Sequence, residues 1–312
     1  MKRILVAFAL LGLLIPLAVA QAEPVQEFNF QLRDIKPDGR FTVVFTSRTY
    51  DSTGGIPPVL RENYLRLPAG AKIPRAFLKK KYFCDTQKTL NTLVQNPDPS
   101  TLFYKRVENL KATIKKLKKR KVSAKTLKKI DTCRRVKIGQ GTVQVDARPF
   151  INELIPAKIY LFFAKGTTKG AVAGFGIIGV PDENAPIVKN TPVVRDTRVA
   201  VNSNFFNDPT PDGKYGYRLQ LPAGPIGGVN ISIAEVDVVT KGLTIKKKKK
   251  ACAKRKHGRC VKKKRKVTRL FWFTKPACPA SGKLSFLSFY GYDDPQPDIT
   301  KTIDLPCPQF KR

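Results

Sequence analysis

Carboxylates are scarce in this chain of 312 residues. Asp and Glu together number 23, whereas Lys and Arg number 59, which gives a formal net charge of +36. So large an excess departs from the mixed-sign surface that is usual for soluble proteins. It favours a partner that is itself an anionic polymer or surface.

Histidine is nearly absent, since His257 is the only one. A single histidine excludes HExxH and other multi-histidine metal sites. A Ser-His-Asp triad would have to use His257, which lies among lysines and arginines in a predicted exposed turn. No GxSxG or SxxK motif occurs. We therefore predict no catalytic residue, no metal ligand and no bound cofactor.

Long apolar runs are missing after the first twenty residues. Met1-Lys2-Arg3 followed by the apolar stretch 4–19 and small residues at 18–22 is typical of a signal peptide. We predict a signal peptide over residues 1–22 and a secreted or cell-surface-associated protein. An uncleaved membrane anchor is the alternative, although the stretch is short for a span.

No CxxC motif is present, which disfavours a zinc site. The six cysteines follow the predicted signal peptide, and an even number in an exported chain predicts disulfides. Six cysteines allow fifteen connectivities. Proximity along the chain favours Cys84 with Cys133, Cys252 with Cys260, and Cys278 with Cys307.

Alternating apolar and polar residues dominate what remains. Segments such as 28–32, 159–163 and 284–292 are typical of strands. We predict a mainly β, antiparallel β-sandwich that forms one domain over residues 23–312. The apolar phase changes within Val229–Val239, which predicts a β-bulge near Ala234. A loose repeat of the sequence around Tyr64 at Tyr217 leaves two duplicated half-domains as an alternative.

In residues 84–133 the apolar side chains do not alternate with polar ones as they do in the predicted strands. Phe103, Val107, Leu110, Ile114 and Leu117 are spaced by three and four residues, which predicts a one-sided apolar helix with lysine on its other faces. The side chains at 85 and 123 suit helix N-caps. We predict a helical insertion whose ends are joined by a Cys84–Cys133 bridge.

Most of the excess charge lies in two segments. Residues 105–137 hold fifteen basic and two acidic side chains, and residues 241–269 hold sixteen basic and no acidic ones. The second segment, 241–269, is predicted to be a projecting β-hairpin. If Cys252 lies directly opposite Cys260, Lys250 pairs with Lys262 and like charges oppose each other along the ribbon.

Both segments are predicted to bind polyanions by charge neutralisation and counterion release, with little sequence specificity, because lysine acts as a point charge. Candidate partners are cell-wall polymers, acidic polysaccharides, anionic lipid surfaces and extracellular DNA. The candidate residues are Lys115, Lys116, Lys118, Lys119, Arg120, Lys121, Lys246, Lys247, Lys248, Lys249, Lys250, Lys254, Arg255, Lys256, Arg259, Lys262, Lys263, Lys264, Arg265 and Lys266.

Other interpretations compete with this one. The lysines can serve solubility while a neutral β face binds a protein partner. A carbohydrate-active enzyme needs only two suitably spaced carboxylates, and Glu235 with Asp237 is one candidate pair. The oxygen-rich loop 207–213 suits calcium. Gly174 to Gly179 matches GxGxxG, but its strand-like context favours close strand packing over nucleotide binding.

Four stretches carry a resemblance to a family. They are the predicted signal peptide, the region Thr49-Tyr50-Asp51-Ser52-Thr53-Gly54-Gly55, the stretch 176–186, and the closing stretch from Cys278-Pro-Ala-Ser-Gly-Lys-Leu to Pro306-Cys307-Pro308. Together they resemble uncharacterised exported proteins of soil actinobacteria. The resemblance implies export and a β-rich fold, and it implies no known activity.

Overall fold

The computed structural model describes residues 23–36, 41–53, 60–146, 153–224, 232–256, 259–271, 278–293 and 296–307. The predicted signal peptide, residues 1–22, lies outside this range, as do His257 and Gly258 of the predicted hairpin turn. Between residues 245 and 271 the description covers the backbone pairing and one cystine.

Thirteen strands form the framework of the described chain. They are β1 (Pro24–Arg33), β2 (Thr42–Asp51), β3 (Leu60–Pro68), β4 (Lys137–Asp146), β5 (Leu154–Ala164), β6 (Ala173–Pro181), β7 (Val199–Asn207), β8 (Tyr215–Gln220), β9 (Ser232–Thr240), β10 (Thr244–Lys256), β11 (Arg259–Phe271), β12 (Lys283–Tyr292) and β13 (Ile299–Pro306).

Eleven of these strands form one antiparallel sheet. Its order is β1-β2-β9-β4-β5-β6-β7-β8-β3-β12-β13. The edge strands β1 and β13 approach each other. Phe30 on β1 stacks on Phe286 of β12, with ring centroids 4.2 Å apart. The sheet is therefore curled until it is nearly barrel-shaped.

The prediction of a mainly β, antiparallel body is confirmed, but the predicted sandwich is not found. A sandwich needs two separate sheets. All eleven strands instead hydrogen-bond into one continuous sheet. This sheet buries one apolar face by curling on itself, and the other side of β5, β6 and β7 is covered by helices.

A β-bulge in β9 restores the phase of its apolar side chains. Glu235 pairs with Gln144 and Ile233 pairs with Val145, so Ala234 has no partner of its own on β4. The bulge predicted near Ala234 is confirmed. It allows Ile233 and Val236 to line the same interior despite their opposite parity.

Four α-helices follow Cys84, and the last of them contains Cys133. They are α1 (Thr86–Gln95), α2 (Phe103–Glu108), α3 (Leu110–Lys119) and α4 (Ala124–Arg135). Asp85 accepts a hydrogen bond from the Lys88 amide at 3.1 Å, and Ser123 accepts one from the Thr126 amide at 3.3 Å, so both predicted N-caps are present.

The predicted apolar stripe is divided between two helices. Asn109 ends α2 and caps α3, where its side chain accepts a hydrogen bond from the Ala112 amide at 3.1 Å. Asparagine competes with the helical backbone in this way, which explains the break. Phe103, Val107, Leu110 and Leu117 are all buried.

Helix α1 approaches the sheet closely because of a glycine. A Cβ at Gly176 on β6 would overlap the side chain of Thr86 at the start of α1. A Cβ at Gly174 would overlap the carbonyl of Ser203 on the neighbouring strand β7. Two of the three glycines of the GxGxxG match therefore serve close packing within and above the sheet, as the strand-like context predicted.

Two further short helices, α5 (Pro186–Asn190) and α6 (Pro192–Asp196), connect β6 to β7. Strands β10 and β11 form a separate two-stranded sheet. Its pairing differs from the predicted register. Lys250 pairs with Arg265, Cys252 pairs with Lys263, and irregularities follow at residues 252–255.

The prediction that Cys252 lies directly opposite Cys260 is therefore wrong, although the two are bonded. The tip pair Lys256–Arg259 has the same register as Lys250–Arg265, because the two irregularities between them offset each other, and this register differs by three residues from the predicted one. This offset places Lys247 opposite Thr268 and Lys248 opposite Val267. Fewer lysines of the run 246–250 are thereby opposed by a like charge, which is less destabilising than full opposition.

All three predicted disulfides are present. Cys84 is bonded to Cys133, Cys252 to Cys260, and Cys278 to Cys307. Disulfides persist where the environment is oxidising, so the three bonds point to an extracellular or similarly oxidising compartment.

Within the described ranges, no helix has both the length and the apolar character that crossing a membrane would need.

Candidate functional site

The first candidate site is a cationic surface on the helical segment. Of the fifteen basic side chains in residues 105–137, thirteen are exposed. The six candidates predicted here, Lys115, Lys116, Lys118, Lys119, Arg120 and Lys121, are all among them. Helices α3 and α4 bury their apolar side chains against the rest of the protein, so their lysines are left on the solvent side.

Two basic residues of this segment are not available to a ligand. Arg106 is buried and donates hydrogen bonds to the carbonyls of Leu93 and Asn96, at 2.8 and 2.6 Å. Lys137 is half-buried, with its ammonium 4.7 Å from the centre of the Tyr160 ring. Burial lowers the pKa of both groups. Arg106 and Lys137 therefore contribute to packing.

Asp98 partly neutralises two of the predicted candidates. Its carboxylate lies 2.8 Å from Lys116 Nζ and 3.7 Å from Arg120 Nη2. The side chain of Ser100 donates a further hydrogen bond to it at 2.7 Å. Hydrogen bonding to Lys116, and then to Ser100, holds the pKa of the Asp98 carboxyl well below its usual range. The sequence analysis missed this contact because Asp98 precedes the basic segment.

Nine exposed lysines of the segment have no carboxylate within ion-pair distance among the described residues. We call them the lysine face: Lys105, Lys111, Lys115, Lys118, Lys119, Lys121, Lys125, Lys128 and Lys129. The carboxylate of Asp131 is already paired with Arg134 and Arg135. The lysine face therefore carries an uncompensated positive charge.

The fourteen predicted candidates on the hairpin lie on β10 and β11. Each strand has 13 residues. At the usual rise per residue, a strand of that size is about 44 Å long. In the observed register Lys249 pairs with Lys266, and Lys254 pairs with Lys262. The backbone thus places positive residues side by side along the ribbon.

Both cationic segments connect to the same end of the large sheet. The helices lie between the end of β3 and the start of β4, and the hairpin lies between the end of β9 and the start of β12. The antiparallel pairing brings these four strand ends to one end of the sheet. This common origin could not be inferred from the separation of the segments in sequence.

Several carboxylates considered as catalytic or calcium-binding have partners within the protein. Asp208 pairs with Arg218 at 2.9 Å and with Arg66 at 3.4 Å. Asp212 accepts hydrogen bonds from the Thr210 hydroxyl and the Lys214 amide, which lower the pKa of its carboxyl. The contacts of Asp212 are typical of a turn fixed by its own side chains, and the ion pairs of Asp208 attach this turn to β3 and β8.

Glu235, of the proposed carboxylate pair on β9, forms an ion pair with Arg48 at 3.0 Å. Among the described residues, no group of three or more histidine, cysteine, aspartate or glutamate side chains is arranged to hold a metal ion.

The second candidate site is a cavity enclosed by the curled sheet. Its volume is about 1180 Å³, and its lining comes from all the strands between β1 and β12 in the sheet order. The wall consists chiefly of aliphatic and aromatic side chains from alternate positions, such as Ile159, Ile177 and Val201. Closed sheets of about eight strands are already wide enough to be filled by side chains, and wider ones enclose space. Eleven strands therefore leave room inside.

Burial differs between the two faces of the strands. On β6, Ile178 faces the helices and is fully buried, whereas its neighbour Ile177 faces the cavity and is only half-buried. Ile159 on β5 shows the same partial exposure, although it lies in the middle of the sheet. These inward side chains are incompletely covered because a space wide enough for other molecules lies beside them.

The polar residues of the lining are concentrated at one end. We call this the polar end of the cavity; it lies where β6 ends and β7 begins. Seven lining residues belong to it: Ser47, Thr49, Asn63, Asp196, Thr197, Arg198 and Tyr290. The opposite, apolar end has Phe30, Phe41, Leu284 and Phe286, and Thr240 is the polar lining residue there.

Hydrogen bonds organise one wall of the polar end. Gln26 donates to Ser47 Oγ at 2.7 Å and accepts from Thr49 Oγ1 at 2.6 Å. The hydroxyls of Ser47 and Tyr290 lie 3.3 Å apart. All four side chains are buried. The network links β1, β2 and β12, and so holds the curled sheet together near its edges.

The wall of this cavity is mainly aliphatic and aromatic, and contact of such a surface with water is unfavourable. Apolar walls also give water few hydrogen bonds. The interior therefore favours an apolar occupant.

Sequence analysis did not predict the cavity. The alternating pattern identifies which side chains face inward, but it does not show that the eleven strands close around a space. The signal that was present is the phase-restoring bulge at Ala234, which places Ile233, Val236 and Val238 towards the same interior.

Comparison of the chain with models of known protein families, with curated proteins and with solved structures found no match in any of the three.

Proposed function

We propose that this protein binds anionic polymers or anionic surfaces electrostatically, through its two cationic segments. The observation that carries the proposal is the lysine face, nine exposed lysines without a carboxylate partner among the described residues. A surface that carries charges of both signs would be enough to keep the protein soluble. Lysines this close together repel one another, and a polyanion would relieve that repulsion.

The common origin of the two segments supports the same proposal. Because the helices and the hairpin connect to one end of the sheet, a single extended polyanion has access to both. Binding at two linked sites is tighter than binding at either alone, provided that the geometry allows both to be engaged.

The proposal includes an extracellular setting. The three disulfides support an oxidising environment. Export through the N-terminal segment 1–22 is part of the proposal, as is a likeness to exported actinobacterial proteins. In that setting the partners are wall polymers, acidic polysaccharides, anionic lipid surfaces or released DNA.

The test is the salt dependence of binding to heparin and to mixed-sequence duplex DNA. One variant replaces Lys118, Lys119, Lys121, Lys125, Lys128 and Lys129 with glutamine, and a second replaces Lys246–Lys250 with glutamine. On duplex DNA, each lost phosphate contact should reduce the slope of log K against log salt by about 0.9. We expect a reduced slope for each variant and a further reduction when they are combined.

The matched control replaces the same six helical lysines with arginine, which keeps the charge and should keep the slope. Circular dichroism verifies that each variant is folded. An unchanged slope in both glutamine variants would overturn the proposal and leave solubility as the role of the lysines.

A further inference from the structure

We infer that the cavity inside the curled sheet is a binding site for a long-chain amphiphile with an anionic head group. Its hydrocarbon chain would occupy the apolar interior, and its head group would lie at the polar end beside Arg198. This site is separate from the two cationic segments, so the inference does not depend on the proposed function.

The size and lining of the cavity indicate a hydrocarbon ligand. Pockets for drug-sized molecules have volumes of about 300–1,000 Å³, and this one has about 1180 Å³. Its middle is lined by aliphatic side chains of five neighbouring strands, including Val143, Ile159, Ile177, Val201 and Leu219. A surface of this kind binds through the hydrophobic effect and offers no hydrogen bonds to a polar body.

The unequal ends of the cavity indicate an amphiphile rather than a plain hydrocarbon. One end carries seven polar lining residues and the other carries Thr240. The apolar end is lined by aromatic rings, among them Phe30 and Phe286, which stack with centroids 4.2 Å apart. A ligand with one polar and one apolar terminus therefore fits in a single orientation, with its tail towards Phe30 and Phe286.

Arg198 identifies the charge of the head group. Its side chain is only 17% exposed. Its Nη1 donates to the carbonyl of Asp196 at 3.1 Å, and its Nη2 lies 3.5 Å from the Asp196 carboxylate. The guanidinium also lies 4.3 Å from the centre of the Phe103 ring. These contacts fix the guanidinium between the connection of α6 to β7 and Phe103 of α2, beside the polar end of the cavity.

The Nε of Arg198 is buried and has no hydrogen-bond partner in the described part of the chain. Buried donors are nearly always paired, so an unpaired one indicates a missing acceptor. A carboxylate or phosphate oxygen accepts from arginine in the strong, charge-assisted way. The Oδ1 atom of Asn63, another lining residue of this end, is also buried and unpaired. It is available to a head-group hydroxyl or to a bridging water.

The experiment measures binding of palmitate, of hexadecanol and of octanoate to the purified full chain after removal of bound lipid by organic extraction. Titrations are made in 0.5 M NaCl, where screening over about 4 Å suppresses adsorption of carboxylates to the surface lysines. We expect one palmitate to bind per chain, hexadecanol to bind more weakly, and octanoate to bind weakest because it buries less hydrocarbon. Wild-type protein that binds neither palmitate nor hexadecanol would overturn the inference.

Arg198→Gln tests the head-group assignment. The variant should lose palmitate affinity by about 10-fold or more, the usual effect of a charge-assisted hydrogen bond, and should keep its affinity for hexadecanol. An equal loss for both ligands would overturn the assignment of Arg198 to the head group, because it would show a general structural effect.

Ile177→Trp tests the location of the tail. The larger side chain fills part of the cavity, so it should weaken binding of palmitate and hexadecanol alike. The matched control is Val239→Trp, because Val239 lies on the exposed face of β9 and does not line the cavity. Equal affinities in these two variants would place the ligand outside the cavity. If Ile177→Trp does not fold, the inference is tested by the affinities of Arg198→Gln for palmitate and hexadecanol and by the affinities of the wild-type protein for the three ligands.

Discussion

A single carboxylate, Asp98, determines how much of the helical charge is free. It pairs with Lys116 and Arg120, and Ser100 supports it. Counting charges along the sequence treats all six predicted helical candidates as equivalent. The structure separates Lys115, Lys118, Lys119 and Lys121, which have no carboxylate partner among the described residues, from the two that do.

Replacing Asp98 should therefore strengthen polyanion binding. In Asp98→Asn the carboxylate is removed, so Lys116 and Arg120 become available and elution from heparin should move to higher salt. The free energy of unfolding at neutral pH should fall, because two ion pairs and their hydrogen bonds are weakened. Urea unfolding measures the loss, and Asp131→Asn, which changes the charge equally at a more exposed carboxylate, is the control.

The loss of stability in Asp98→Asn should change with pH in a defined direction. The folded pKa of the Asp98 carboxyl lies below its ordinary value of about 3.9. Such a group stabilises the fold above the ordinary pKa, and the contribution is lost as the pH falls through the folded pKa. The difference between wild type and Asp98→Asn should therefore be present at pH 7 and shrink below about pH 4. An equal difference at pH 7 and pH 2 would contradict this explanation.

At the level of elements, the sequence predicted local features well. The apolar phase in β9 predicted the bulge at Ala234, and Asp85 and Ser123 predicted two helix starts. Each of these features is determined by side chains within a few residues of one another. Their physical causes are therefore fully contained in a short stretch of sequence.

Features that depend on distant partners could not be predicted in the same way. Alternation shows that a strand has an apolar face, but a sandwich and a curled single sheet bury that face equally well. The hairpin register follows from the tip pair Lys256–Arg259, and the repeated lysines on both strands offered no pattern that would distinguish this register from the predicted one. The cavity depends on how many strands join one sheet. That number cannot be determined from any single segment of the sequence.

Removal of the Cys84–Cys133 bond tests how the helical segment is held. The two cysteines are 49 residues apart and buried. In the chain-entropy model, closing such a loop stabilises by about 4 kcal/mol. Cys84→Ala with Cys133→Ala should therefore lower the free energy of unfolding by about that amount in urea denaturation.

The control for this prediction is Cys252→Ala with Cys260→Ala, which opens a loop of only 8 residues at an exposed cystine. Its smaller loop corresponds to about 2.5 kcal/mol, and its effect should be confined to the hairpin. A global loss in the control as large as that in the buried pair would show that loop length does not govern the stability of this fold.

The whole molecule combines two opposite environments. Positive charge is concentrated on segments outside the sheet, and the sheet encloses an apolar space. Both cationic segments connect to the sheet at its apolar end, and the helical segment also reaches the polar end, where Phe103 of α2 lies 4.3 Å from the Arg198 guanidinium.

Net charge predicts how the whole fold responds to salt. A chain with a formal charge of +36 is destabilised by its own repulsion, and salt screens that repulsion. The melting temperature should rise between about 0.01 and 0.5 M NaCl, over which the screening length falls from about 30 Å to about 4 Å. The variant with six helical lysines replaced by glutamine should show a smaller rise. Equal rises in the two proteins would contradict the prediction.

The Cys84–Cys133 bond has one more consequence, which concerns cleavage rather than folding. Proteases that cut after lysine or arginine find abundant targets on exposed segments such as the lysine face. A cut between residues 84 and 133 leaves the two fragments covalently joined by the bond. Their apolar side chains remain packed on the sheet, so a nicked molecule keeps its shape and its charge. The two fragments of a chain cleaved there separate from each other only when the disulfide is reduced.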